Sequence, residues 1–136
     1  MKRFQLIEHT ADTGLIAYGS NLAEAFANAA YGLFSIIAEL DKVREADSWS
    51  VAVNAEDDES LLFEWLNNLI YIFDVEQLLF KGFDIVDFNV CGLTASCYGE
   101  KYDPSRHHLK TGVKAATYHM LKVDRKRSQV QVIFDV

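Results

Sequence analysis

Three polar groups interrupt strand-like stretches of this chain: Glu8-His9-Thr10-Ala11-Asp12 near its start, Lys114 to His119 in its last third, and Phe134-Asp135 near its end. If the first and last strands approach, Asp12 and Asp135 bring two carboxylates within a few ångströms. Such a pair is costly unless it shares a cation or a proton, and hard divalent cations take oxygen ligands of this kind. The alternation supports a special place for Asp135. Val130, Val132 and Phe134 make an apolar face, while Gln131, Ile133 and Asp135 make the other. The plainer alternative has Asp135 on a frayed end and Asp12 capping a turn. His9 and His119 flank the region, and imidazole serves equally as metal ligand, general base or ordinary hydrogen-bonding group. Lys114, set in an apolar strand piece beside Thr117, reads as a half-buried ammonium needing Asp12, Asp135 or a phosphate as partner.

Other chemistries find little support. Neither GxGxxG nor GxxxxGK[ST] occurs among the seven glycines, and no serine lies in a GxSxG elbow. Cys91 and Cys97 lack an activating pattern and zinc-ligand spacing, so a disulfide framework and structural zinc are both disfavoured. Residues 61–73 are mostly apolar, but Glu64, Asn67 and Asn68 break them well short of a membrane span, and no secretory leader is visible. The expectation is a protein of a reducing cytoplasm that makes no membrane contact.

These residues need a scaffold, and 136 residues with 50% apolar and 24% charged side chains suit a single domain, 1–136, with one core. The net charge of -7 hides an asymmetry. Residues 1–100 carry five basic and seventeen acidic side chains, whereas residues 101–136 carry eight basic and three acidic. The basic 101–127 segment is a candidate for contact with RNA or an acidic partner, against the blander reading of solvated lysines on strand edges and turns.

Phe4–His9 and Gly14–Tyr18 read as strands joined by a polar connection. Asn21 followed by Glu24 marks a helix start, and Leu22, Phe26, Ala29, Leu33, Ile37 and Leu40 continue it at helical spacing. Trp49, Val51 and Val53 alternate as in a half-buried strand. The run Glu56-Asp57-Asp58-Glu59 suits the first turn of a second helix carrying Leu62, Trp65, Leu69 and Phe73. Val86, Phe88 and Val90 form the apolar face of a hairpin strand that turns at Cys91-Gly92. Residues 99–109, with Pro104, Arg106, His107 and His108, read as an exposed loop. Short strand pieces follow at 113–117, 120–123 and 130–134. Two helices and about seven strands out of strict alternation predict an α+β fold, a two-layer domain with a predominantly antiparallel or mixed sheet.

Taken together, Glu8-His9-Thr10-Ala11-Asp12-Thr13-Gly14, Lys114-Ala115-Ala116-Thr117-Tyr118-His119 and Val132-Ile133-Phe134-Asp135-Val136 resemble the archease family, in its order and over essentially the whole chain. The resemblance implies an accessory protein of RtcB-type RNA ligases in tRNA splicing. Such a protein is not itself a ligase: it promotes guanylylation of a ligase histidine with GTP and manganese and so restores turnover. It further implies that Asp12 and Asp135 bind a divalent metal ion (calcium, manganese or magnesium), with a main-chain oxygen or carboxylate of Val136 beside them. His9, Lys114, Thr117 and His119 then become supporting or partner-facing residues. Two alternatives of other classes remain at this stage, a stand-alone metal-dependent phosphoester hydrolase and an RNA-binding or chaperone-like module.

Overall fold

Asn21 opens the first helix as its spacing predicts. Its side-chain oxygen accepts from the Glu24 N–H at 2.8 Å, and the Glu24 carboxylate accepts from the Ser20 N–H at 2.8 Å. Helix α1 (Leu22–Ile37) buries Phe26, Ala29, Leu33 and Phe34 completely. It stops short of Leu40 because the backbone turns extended at Ala38, which bridges to Leu109; Leu40 is buried in a separate 3-10 turn. The acidic run starts α2 (Asp58–Glu76). The Asp57 carboxylate accepts from the Ser60 N–H at 2.7 Å, and that bond holds its pKa below the usual carboxylate value. Trp65 is fully buried at the helix–helix contact, and its indole N–H donates to the Phe26 carbonyl at 3.0 Å. Gln77, in the left-handed conformation at φ 57°, ends α2.

The computed structural model describes residues 2–9 and 12–136, and of Glu8 and His9 the main chain alone. Among these residues are eight strands: β1 (Phe4–His9), β2 (Asp12–Tyr18), β3 (Asp47–Asn54), β4 (Leu78–Asn89), β5 (Gly92–Lys101), β6 (Ala115–Ala116), β7 (Lys122–Asp124) and β8 (Gln129–Asp135). They form two antiparallel sheets. The larger runs β1-β2-β8-β6, with β7 also pairing with β8, and the smaller runs β3-β5-β4. The expected α+β fold with two main helices is present, and its strand layer is divided between two sheets that both pack on the helices. Helix α1 contacts β2 and β8 of the larger sheet and β4 of the smaller, and one continuous core joins all of them. No described helix is long and apolar enough to cross a membrane.

The β4–β5 hairpin forms where expected, but its apolar face differs. A bulge between Ile85 and Asp87 shifts the alternation by one residue, so Phe83, Ile85 and Phe88 pack on the core while Val86 and Val90 are exposed. A strict period of two cannot register such an insertion. At the other irregularity of this hairpin, where Phe80 pairs with Gly99, a Cβ on Gly99 would collide with the Leu79 carbonyl oxygen, so only glycine permits this approach of β4 to β5.

Candidate carboxylate site at the end of the larger sheet

The register of the larger sheet gathers the three polar groups of the sequence at one end. His9 of β1 pairs with Asp12 of β2, Thr13 with Phe134, and Ala115 with Asp135. Continuing the Thr13–Phe134 register by one residue sets Asp12 level with Asp135. His9, Asp12, Asp135 and Ala115 therefore form one cross-strand row. Alternation fixes its face. Leu15 and Ala17 of β2 and Val132 and Phe134 of β8 are buried toward the helices, so Asp12 and Asp135, one residue out of phase, belong to the opposite face. The side chain of His9, and the residues Thr10 and Ala11, lie outside the described residues.

Beneath this row the outer face is apolar. Ile133, 1% exposed and apart from the main core, stands level with Gly14, where an added Cβ would lie 2.6 Å from Ile133 Cδ1 and 2.8 Å from Ile7 Cγ1. The missing side chain of Gly14 thus lets Ile7 and Ile133 close over β2, next to Asp12. Asp135 is exposed and Asp12 half-buried.

The 114–119 segment borders the row. The Lys114 N–H donates to the Asp135 carbonyl at 2.8 Å, and the Thr117 N–H and hydroxyl both donate to the Ile133 carbonyl, at 3.0 and 2.8 Å. Thr117 therefore serves the backbone. Lys114 departs from expectation: its side chain is exposed rather than half-buried, while its neighbour Val113 is the residue that turns into the core. No carboxylate is needed to neutralise it. His119 is exposed in the turn after β6. Tyr118 stacks on Phe63 of α2, with ring centroids 4.1 Å apart. Val136 packs its side chain against the core, which leaves the main-chain oxygen as its candidate donor.

The 99–109 stretch also departs from expectation, since Glu100 and His107 are buried. His107 Nδ1 accepts from the Asp103 N–H at 2.8 Å, so the proton resides on Nε2 and is donated to Glu100 at 2.7 Å. Arg106 donates to both Glu100 oxygens, at 3.1 and 2.8 Å, and the Arg44 N–H adds a further bond at 3.0 Å. The Arg106 guanidinium is the main cause that draws the Glu100 pKa down to about 2. Sequence reasoning missed this knot because Glu100 precedes a proline-bearing loop whose composition reads as solvent-exposed. The basic segment is correspondingly less available. Arg106 is engaged, Arg125 grips Asp58 at the start of α2 (Nη2 to Oδ1, 2.8 Å), and Lys110 Nζ donates to the Ser35 carbonyl at 2.8 Å.

Two neighbouring carboxylates with a main-chain oxygen one residue on are a hard-oxygen donor set, which fits a divalent cation such as calcium, magnesium or manganese better than a soft metal. Among the described residues, no three His, Cys, Asp or Glu side chains gather as a metal cluster. Any ion held here would depend on the two carboxylates, main-chain oxygen, and water or a partner's groups.

A sequence model of the family described as "Archease protein family (MTH1598/TM1083)" matches residues 4–136. Among curated proteins, the chain is 39% identical to the protein archease of Sulfurisphaera tokodaii, over 100% of this chain and 99% of that one. It is 43% identical to that of Pyrococcus abyssi, over 92% and 90%. Among solved structures, it is similar to protein 1598 of Methanobacterium thermoautotrophicum, with TM-score 0.82 and 34% identity over the whole of both chains. It shares the fold of the Thermotoga maritima archease, described as a possible chaperone, with TM-score 0.62, 20% identity and coverage of 97% and 96%.

Proposed function

This chain belongs to the archease family, and on that premise we propose that it activates an RtcB-type RNA ligase by promoting guanylylation of the ligase histidine, so that the ligase turns over repeatedly. The observation that carries the reading is the Thr13–Phe134 register, which continued by one residue would set Asp12 level with Asp135 on the face away from the helices. Asp12, Asp135 and the Val136 main-chain oxygen would hold the divalent ion, whose chemistry is to offset negative charge on phosphate oxygens during nucleotidyl transfer. The residues of this chain contribute placement. The pairing of β1 with β2 and of β2 with β8 carries both carboxylates to one end of the larger sheet, Ile7, Gly14 and Ile133 give them a packed floor, and the Lys114 N–H holds the Asp135 carbonyl. Such an end suits transient insertion at the mouth of the ligase active site.

The test is multiple-turnover RNA ligation by the cognate ligase with GTP and manganese, with and without substoichiometric amounts of this protein. Acceleration beyond one turnover per ligase is expected. No effect on a competent ligase whose guanylylation is limiting defeats the proposal. Direct RNA contact through 101–127 is a separable part of it, resting on Lys101, Lys114, Lys122 and Lys126. Neutralising those lysines should lower the salt dependence of activation.

A further inference from the structure

Helix α2 meets the segment that borders the carboxylates through one polar side chain. Asn67 Oδ1 accepts from the Ala116 N–H at 2.9 Å, and Asn67 Nδ2 donates to the Ala116 carbonyl at 3.2 Å and to the Phe63 carbonyl at 3.1 Å. A carboxamide offers the donor and acceptor of one peptide unit. Asn67 thus stands where a neighbouring strand would, on the side of β6 that β8 does not occupy. One helical turn earlier, Phe63 stacks on Tyr118, with the ring planes 10° apart. Strand β6 has only two residues, too few to hold a register unaided.

We infer that Asn67 is a positioning residue for the carboxylate pair. Its carboxamide pins β6, and β6, through the Lys114 N–H on the Asp135 carbonyl, fixes the end of β8 so that Asp135 stays level with Asp12. The inference rests on the metal reading above. Asp135 lies near the end of β8, with β2 on one side and β6 on the other. Without β6, that end becomes a sheet edge free to fray, and ion binding must then order it. Asn67 itself is placed too far along the chain of contacts to be a ligand: its two polar atoms are spent on main-chain groups of Ala116 and Phe63.

Asn67→Leu tests this, because leucine matches the side chain in size, favours the helix and removes both bonds. Manganese titration of the full chain, followed by the paramagnetic signal of free Mn²⁺, should show affinity lowered about tenfold or more, as for other residues that orient ligands from behind. Amide exchange at Lys114, Ala116 and Thr117 should quicken while exchange in α1 stays unchanged. In an Asp12→Ala background, Asn67→Leu should weaken manganese binding no further, an outcome that a purely structural role does not produce. Unchanged amide protection, or faster exchange with unchanged manganese affinity, overturns the inference. If the unmodified protein binds no manganese, the metal reading fails by itself. The exchange measurement then decides separately whether Asn67 pins β6.

Discussion

Thr13 of β2 pairs with Phe134 of β8, and that register continued by one residue sets Asp12 level with Asp135, the first and last residues of their strands. Millimolar calcium or manganese should therefore raise the melting temperature of the protein, since an ion bound only by the folded state stabilises it by mass action. Asp12→Asn and Asp135→Asn should each abolish that rise. The same variants should lose ligase activation. A metal-induced rise that survives in either variant, read by calorimetry, would place the ion elsewhere.

Glu100 predicts an acid limb of stability. Its pKa is drawn from 4.5 to about 2 in the folded protein, chiefly by the Arg106 side chain. A depressed folded value means that the contribution is complete above about 4.5 and fades as pH falls toward about 2. Urea midpoints of the unmodified protein should drop across that window. Glu100→Gln should start lower at pH 7 and show a shallower acid decline, the two curves converging near pH 2.

The cysteines should separate by reactivity. Burial pushes the Cys97 thiol up to about 12, whereas Cys91 is exposed in the β4–β5 turn. Iodoacetamide at neutral pH should alkylate Cys91 alone in the native protein, and both residues in denaturant. Peptide mass mapping reads the difference.

Gly99→Ala should destabilise the fold by about 3 kcal/mol, the upper part of the range for overpacking, because the intruding methyl meets main chain that cannot rotate away. Gly112→Ala, with nothing within 4 Å of the added carbon, is the matched control and should leave the denaturation midpoint nearly unchanged.

The sequence was most legible where local signals agree. Asn21 and Glu24 marked the start of α1, the acidic run marked α2, and the Val130-Val132-Phe134 alternation marked the buried face of β8. It was least legible where tertiary contacts decide. The bulge at Ile85 put Val86 outside a predicted face while Phe88 stayed on the core, and Glu100 drew His107 inside from a loop that reads as wet. At the site, residue types pointed to Asp12 and Asp135, yet their alignment depends on strand register, which one sequence does not encode locally. Asn67 reads only as a polar break in the apolar 61–73 run, because its partner, Ala116, is a backbone unit with no sequence signature. Lys114 reads as half-buried from its apolar neighbours, but Val113 takes the inward position beside it and leaves the lysine outside.

The interior position of β8 has a kinetic consequence. The smaller sheet draws its strands from residues 47–101, but the larger one pairs Thr13 with Phe134, so its first hairpin has no inner neighbour until the final strand has been synthesised. During synthesis, residues 4–18 must wait with one flank unpaired, and closing the sheet requires the longest loop in the molecule to be bridged. Refolding should therefore show the β3-β5-β4 unit protected early and the β2–β8 pairing late. The carboxylate row, assembled by that last pairing, comes into being only as the protein finishes folding.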